Sequence, residues 1–320
     1  MEEQASDGSP TSGRLVALRR GLMLAYGALL VAFVAHNGVP TGTALLMGMV
    51  MGGLAVTTIG RGRGSVVRIV LDWLPFALVL IVYDISRSLV DVVGLPLHEG
   101  DVADLERHLF VGAIPTVWLQ QHFYHPASVH WWDALATLVY ASHFLATPIV
   151  AAVLWVRDRA VWFSYICRVI ALAVAGLVTY TLFPEAPPWM AARDGLIDPV
   201  ARLSSRGWVW LHMGQVDTLV SHAQHDGANP IAAMPSLHAA FAALIALFVG
   251  ARLRSRWRWL LALYPLAMGL TLVYTGEHYV IDILVGFGYA FAVDRLVGYW
   301  EASRAQRRRS AADEELVAAF

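Results

Sequence analysis

Eight apolar runs of spanning length set the limits on what this chain can fold into. They fall at roughly 15–36, 41–60, 68–93, 131–155, 161–183, 231–251, 259–276 and 278–299. A membrane span needs about 20 mostly apolar residues. With no water in hydrocarbon to satisfy backbone polar groups, such a run must close its hydrogen bonds internally, as a helix. The expected fold class is therefore all-α, a polytopic transmembrane helical bundle of about eight spans. Composition agrees, with 58% of the 320 residues hydrophobic and 15% charged, against about a quarter charged in soluble domains.

Charge placement orients the bundle. Every basic residue is arginine. Arginines precede the first run (Arg14, Arg19, Arg20) and separate the second from the third (Arg61, Arg63, Arg68). They recur between the fourth and fifth (Arg157, Arg159) and the sixth and seventh (Arg252, Arg254, Arg256, Arg258), and follow the eighth (Arg304, Arg307 to Arg309). Basic connections stay in the cytoplasm, so both termini are expected inside a multi-pass protein of the cytoplasmic membrane. No cleaved leader is expected, and a net charge of -1 gives no reason to expect a nucleic-acid partner. The sole cysteine, Cys167, is expected to be inert.

Two long connections, 94–130 and 184–230, then face outward; the first carries an amphipathic run, Leu109–Gln121. Long ordered loops tend to carry function. The expected divisions are a disordered cytoplasmic leader at 1–13, two N-terminal helices at 14–66, a main helical domain at 67–300 that holds the motifs described next, and a cytoplasmic tail at 301–320.

Ionisable residues near hydrocarbon are costly and usually mark a site. His238 opens the sixth run, and His278 with Asp282 opens the eighth, so the topology places all three at one outer level. Residues four apart share a helix face. Asp282 can therefore hold one ring nitrogen of His278 and leave the other free to attack phosphorus. His238 suits proton transfer to and from the exchanging oxygens. Pro235 suits a first helical turn, which would leave the amides of Ser236, Leu237 and His238, and the Ser236 hydroxyl, for phosphate oxygens. A zinc site on His238, His278 and Asp282 has suitable ligand types, but no second carboxylate or thiolate cluster accompanies them.

The motifs Met234-Pro235-Ser236-Leu237-His238 and Tyr274-Thr275-Gly276-Glu277-His278-Tyr279-Val280-Ile281-Asp282 resemble those of the type 2 phosphatidic acid phosphatase superfamily, in its inositol phosphorylceramide synthase-like branch. Supporting matches are Tyr83-Asp84-Ile85-Ser86-Arg87, Leu109-Phe110-Val111-Gly112, His143-Phe144 and Phe183-Pro184-Glu185-Ala186-Pro187-Pro188-Trp189, so the likeness covers about 70 to 310. The resemblance implies a phosphohistidine at His278, acid–base work at His238, an orienting Asp282, and a six-helix core that uses neither metal nor other cofactor. The implied substrate is a lipid-linked phosphate, with membrane lipids around it; protein partners are not indicated.

This chain departs from the family where an arginine six residues before the nucleophilic histidine is replaced by Leu272, and where an upstream basic phosphate motif is missing. Arg87 is the expected substitute for those cations, with an ion pair to Asp84 or Asp91 as the alternative. Tyr83 and His143 complete the expected substrate contacts, although His143 also fits a hydrogen-bonded core position. Glu277 is expected at the surface, and Trp189 in a loop over the site. The expected activity is transfer of a phospho-head-group between lipids at the outer face. The alternatives are hydrolysis of a lipid phosphate by the same residues, or a non-enzymatic lipid or solute transporter.

Overall fold

A computed structural model describes residues 10–37, 43–59, 67–78, Val82, 95–213 and 231–318. Within the described residues, the eight apolar runs are represented by helices α1 (Pro10–Asn37), α2 (Thr43–Thr57), α3 (67–78), α6 (Trp131–Arg157), α7 (Arg159–Leu182), α10 (Leu237–Arg252), α11 (Leu263–Tyr274) and α12 (Val280–Ala318). Among the described residues, four short helices lie between them: α4 (Asp101–Leu109), α5 (Pro115–Phe123), α8 (Pro188–Arg193) and α9 (Gly207–Trp210). Among the described residues extended pairing is confined to the isolated bridges His98–Glu185 and Glu185–Ala232. The protein is an all-α, multi-pass membrane bundle: α6, α7 and most of α1 are each long and apolar enough to cross a bilayer, and α10 is a shorter apolar helix.

The boundaries follow local chemistry. The sixth run starts as a helix at Leu237 rather than 231, because Pro235 has no N–H to give and the Ser236 side chain caps the amide of Ala239. Asp158 ends α6 and caps α7 through the amides of Ala160 and Val161. The seventh run opens as a 3-10 turn at Arg256–Ala262 before α11. The eighth does not stop at the membrane edge: α12 continues through the basic stretch to Ala318. The amphipathic run 109–121 is broken into α4 and α5 by a turn with positive φ at Val111 and Gly112.

α10 is the centre of the bundle and packs against α6, α7, α11 and α12. Between helices in lipid, association rests on close packing rather than on exclusion of water. The inward face of α10 accordingly offers Ala239, Ala240, Ala242 and Ala243, all buried. Outward leucines such as Leu135, Leu270 and Leu284 are exposed, as a lipid-facing surface requires. Away from α10's start, Arg168 of α7 is buried and bridges Asp294 (2.8 Å) and Glu301 (3.1 Å) of α12.

The short helices and their loops form a cap at the other end. Gln120 of α5 is its main strap. Its Nε2 donates to the carbonyls of Ala201 and Tyr274, both at 2.8 Å, and its Oε1 accepts from the amide of Ala201. Asp133, at the start of α6, accepts from the Tyr274 hydroxyl at 2.6 Å and, as a helix-start cap, from the His130 amide at 2.8 Å.

Candidate active site

The starts of α10 and α12 lie side by side under this cap, locked through backbone. The Ser236 amide donates to the Asp282 carbonyl at 3.0 Å. At Gly286 a Cβ would stand 2.5 Å from the Ser236 carbonyl oxygen, so the approach demands glycine. Ser236 is fully buried, and the carbonyl of Pro235, which follows a cis peptide bond, accepts from the Tyr180 hydroxyl at 2.8 Å. Pro235 and Ser236 thus build the turn. The Ser236 amide, expected free for phosphate, is occupied, and its hydroxyl serves the helix cap; the Leu237 and His238 amides, one step on, make no intrahelical bond among the described residues.

The expected histidines come together. His278 is 5% exposed, and its Nδ1 lies 3.4 Å from Oδ2 of Asp282, long for a hydrogen bond. Such bonds commonly tighten around a bound substrate. The same Oδ2 accepts from the Tyr279 amide at 2.8 Å, which fixes the carboxylate. The His238 ring lies 5.6 Å from that of His278, and its Nε2 is buried without a hydrogen-bond partner among the described residues. His143, on α6, belongs to the group: its ring is 4.1 Å from His238, while Tyr140 one turn earlier stacks on His238 at 5.1 Å. Tyr83, Arg87 and its alternative partners Asp84 and Asp91 lie outside the described residues.

Carboxylates gather around Asp282. Glu106 of α4 is fully buried and accepts from the Val280 amide at 2.5 Å, capping α12 from 174 residues away. Burial lifts its pKa to about 7, against the pull of that hydrogen bond, and the charge of Asp282 adds to the lift. Glu185, also fully buried, sits on the bridge to His98 and Ala232; burial first, then the charge of Asp282, raises its pKa well above the usual carboxylate range.

Glu277 departs from the surface role expected of it. It is buried, with Arg202 Nε at 2.8 Å and Nη2 at 3.1 Å from its two oxygens, and the Ser204 hydroxyl donating at 2.5 Å. The Arg202 guanidinium lies over the Trp189 ring, 5.0 Å from its centroid, and the Trp189 amide donates to the Gly276 carbonyl at 3.1 Å. Sequence reasoning missed Arg202, because nothing local links a loop arginine to a glutamate 75 residues later. Leu272, where the family would place an arginine, is fully buried, and its carbonyl accepts from the His278 amide at 3.3 Å. No group of three His, Cys, Asp or Glu positioned to hold a metal ion occurs among the described residues.

Comparison with known proteins identifies the family. The profile of the PAP2 superfamily matches residues 100–295. The chain is similar to the phosphoinositol dihydroceramide synthase of Bacteroides thetaiotaomicron, 29% identical over 237 residues that cover 70% of this chain and 74% of that protein. No solved structure matches significantly.

Proposed function

The chain belongs to the PAP2 superfamily, as an enzyme of lipid phosphotransfer or phosphate hydrolysis, and from that premise we propose that it moves a phospho-head-group from one lipid to another through His278. The observation that carries this reading is the meeting of His238 and His278 at 5.6 Å, with Asp282 behind the Nδ1 of His278. Asp282 favours the tautomer that carries its proton on Nδ1, so Nε2 is the nucleophile. Nε2 bonds to phosphorus as the bond to the donor lipid's oxygen breaks, and His238 gives that oxygen a proton. In the second half the acceptor hydroxyl passes its proton to His238, its oxygen bonds to phosphorus, and the phosphorus–nitrogen bond breaks. The arginine pattern supports both termini in the cytoplasm and the capped end of the bundle at the outer face of the cytoplasmic membrane.

The test is to incubate purified protein with a panel of lipids labelled in the phosphate and to trap label on the chain. An inositol phospholipid enters the panel first, given the name of the Bacteroides relative. Label on the wild type, lost in His278→Ala, is expected, with passage to a second lipid when acceptor is added. Asp282→Asn should slow labelling by about 10²- to 10⁴-fold. Label persisting in His278→Ala would sink the nucleophile, and free phosphate as the sole product would make the enzyme a hydrolase.

A further inference from the structure

We propose that Arg202 binds the anionic oxygens of the phosphate at His278, held in place by Glu277 acting as a positioning residue. The proposal rests on the function proposed above. The carboxylate of Asp282 stands at Nδ1 of His278, so the charge of a phosphate at this ring calls for a cation beside it. Arg202 is a cation that the cap brings next to the His278 motif, over the Trp189 ring. It is tied to Glu277, the residue joined by one peptide bond to His278.

The geometry of the guanidinium is that of a partly used fork. Nε and Nη2 engage Glu277, leaving three of about five N–H donors, as arginine carries, on an edge that makes no hydrogen bond among the described residues. The side chain is 20% exposed, so that edge is reachable. Trp189 supports its flat face, and Ser204 holds Glu277 from the other side. Such a fork suits bidentate recognition of phosphate oxygens.

A purely structural ion pair explains less. The loop is already seated on both sides of Arg202, by Ala201 with Gln120 and by the Leu203 amide with the Thr275 carbonyl at 3.0 Å. A mostly buried pair is also no better for stability than apolar packing of the same volume.

The probe is orthovanadate, a mimic of phosphorus in transfer, read by its thermal stabilisation of the full-length protein in detergent. This readout needs no lipid turnover, so its failure is separable from failure of phospho-head-group transfer, which the labelling experiment reads. Vanadate should stabilise the wild type. Arg202→Gln should raise the concentration needed by about 10- to 100-fold, the loss of one or two charge-assisted hydrogen bonds. Arg202→Lys should fall between, and Glu277→Gln, which keeps the cation, should lose less than Arg202→Gln. Where Arg202→Gln does not fold, Arg202→Lys decides by whether the vanadate requirement rises. The proposal is overturned by a wild type that vanadate does not stabilise or by an unchanged requirement in the arginine variants. A Glu277→Gln protein as impaired as Arg202→Gln also overturns it, since Arg202 would then matter only as its partner.

Discussion

Replacing Glu106 with glutamine should flatten the dependence of stability on pH between about 4.5 and 7. Glu106 has no exposure, and its carboxyl, raised from 4.5 to about 7, keeps its proton in the folded protein where the unfolded chain has released it. The unfolded chain therefore loses a proton first as pH rises, and stability falls across the window. The contribution is fully present below about 4.5 and gone above about 7. At about 1.4 kcal/mol per unit, the total reaches about 3 kcal/mol. Glutamine keeps an oxygen for the Val280 amide and cannot titrate. Glu185 is raised for the same reason, also acts on Glu106's neighbour Asp282, and leaves a residual slope of the same sign.

The assay is thermal unfolding in detergent at closely spaced pH values, with rates of inactivation at fixed temperature as a check on irreversibility. Wild type should lose stability from pH 5 to 7 more steeply than Glu106→Gln, and Glu106→Gln with Glu185→Gln should be flatter still. Parallel profiles for wild type and Glu106→Gln would refute the reasoning, since the carboxyl capping α12 would then not be the titrating group.

Two further substitutions test the frame. Arg168→Leu strands Asp294 and Glu301 and should cost about 3 kcal/mol, the low end for breaking a buried pair because those carboxylates stay 21% and 31% exposed; an unchanged melting temperature would show the lock to be idle. Gly286→Ala drives a Cβ toward the Ser236 carbonyl, at 2.5 Å, and should cost about 1–3 kcal/mol while depressing labelling of His278. Gly288→Ala, whose Cβ meets nothing within 4 Å, is its control and should behave as wild type.

The helices and the two histidine motifs were legible because their signals are local. A spanning run needs no distant partner to declare itself, and the spacing of His278 and Asp282 is fixed by helical geometry. The convergence of His238 with His278 followed from topology alone. His143 was half legible: its depth in the fourth run was readable, but its contact with His238 depends on how α6 packs on α10. Glu277 was expected at the surface, whereas it precedes α12 and points into a salt bridge with a loop arginine that no local pattern announces. Ser236 looked like a phosphate donor because nothing in the sequence shows its amide turned to the Asp282 carbonyl.

What stayed hidden shares one physical cause. His278 and His238 sit at the starts of helices, but the charged residues around them are supplied by the cap. Glu106 comes from α4, Glu185 from the bridge after α7, and Arg202 from the loop between α8 and α9. Each is paired across at least 75 residues or held by burial, so none carries a local pattern. The division has a structural consequence. Displacing a histidine requires moving a membrane helix, which Gly286 and Ser236 hold by backbone contact. Moving Arg202 requires only a loop change, and that loop is anchored at Ala201 and Leu203 by bonds its side chain does not make. The backbone contact between α10 and α12 is thus independent of the loop that carries Arg202.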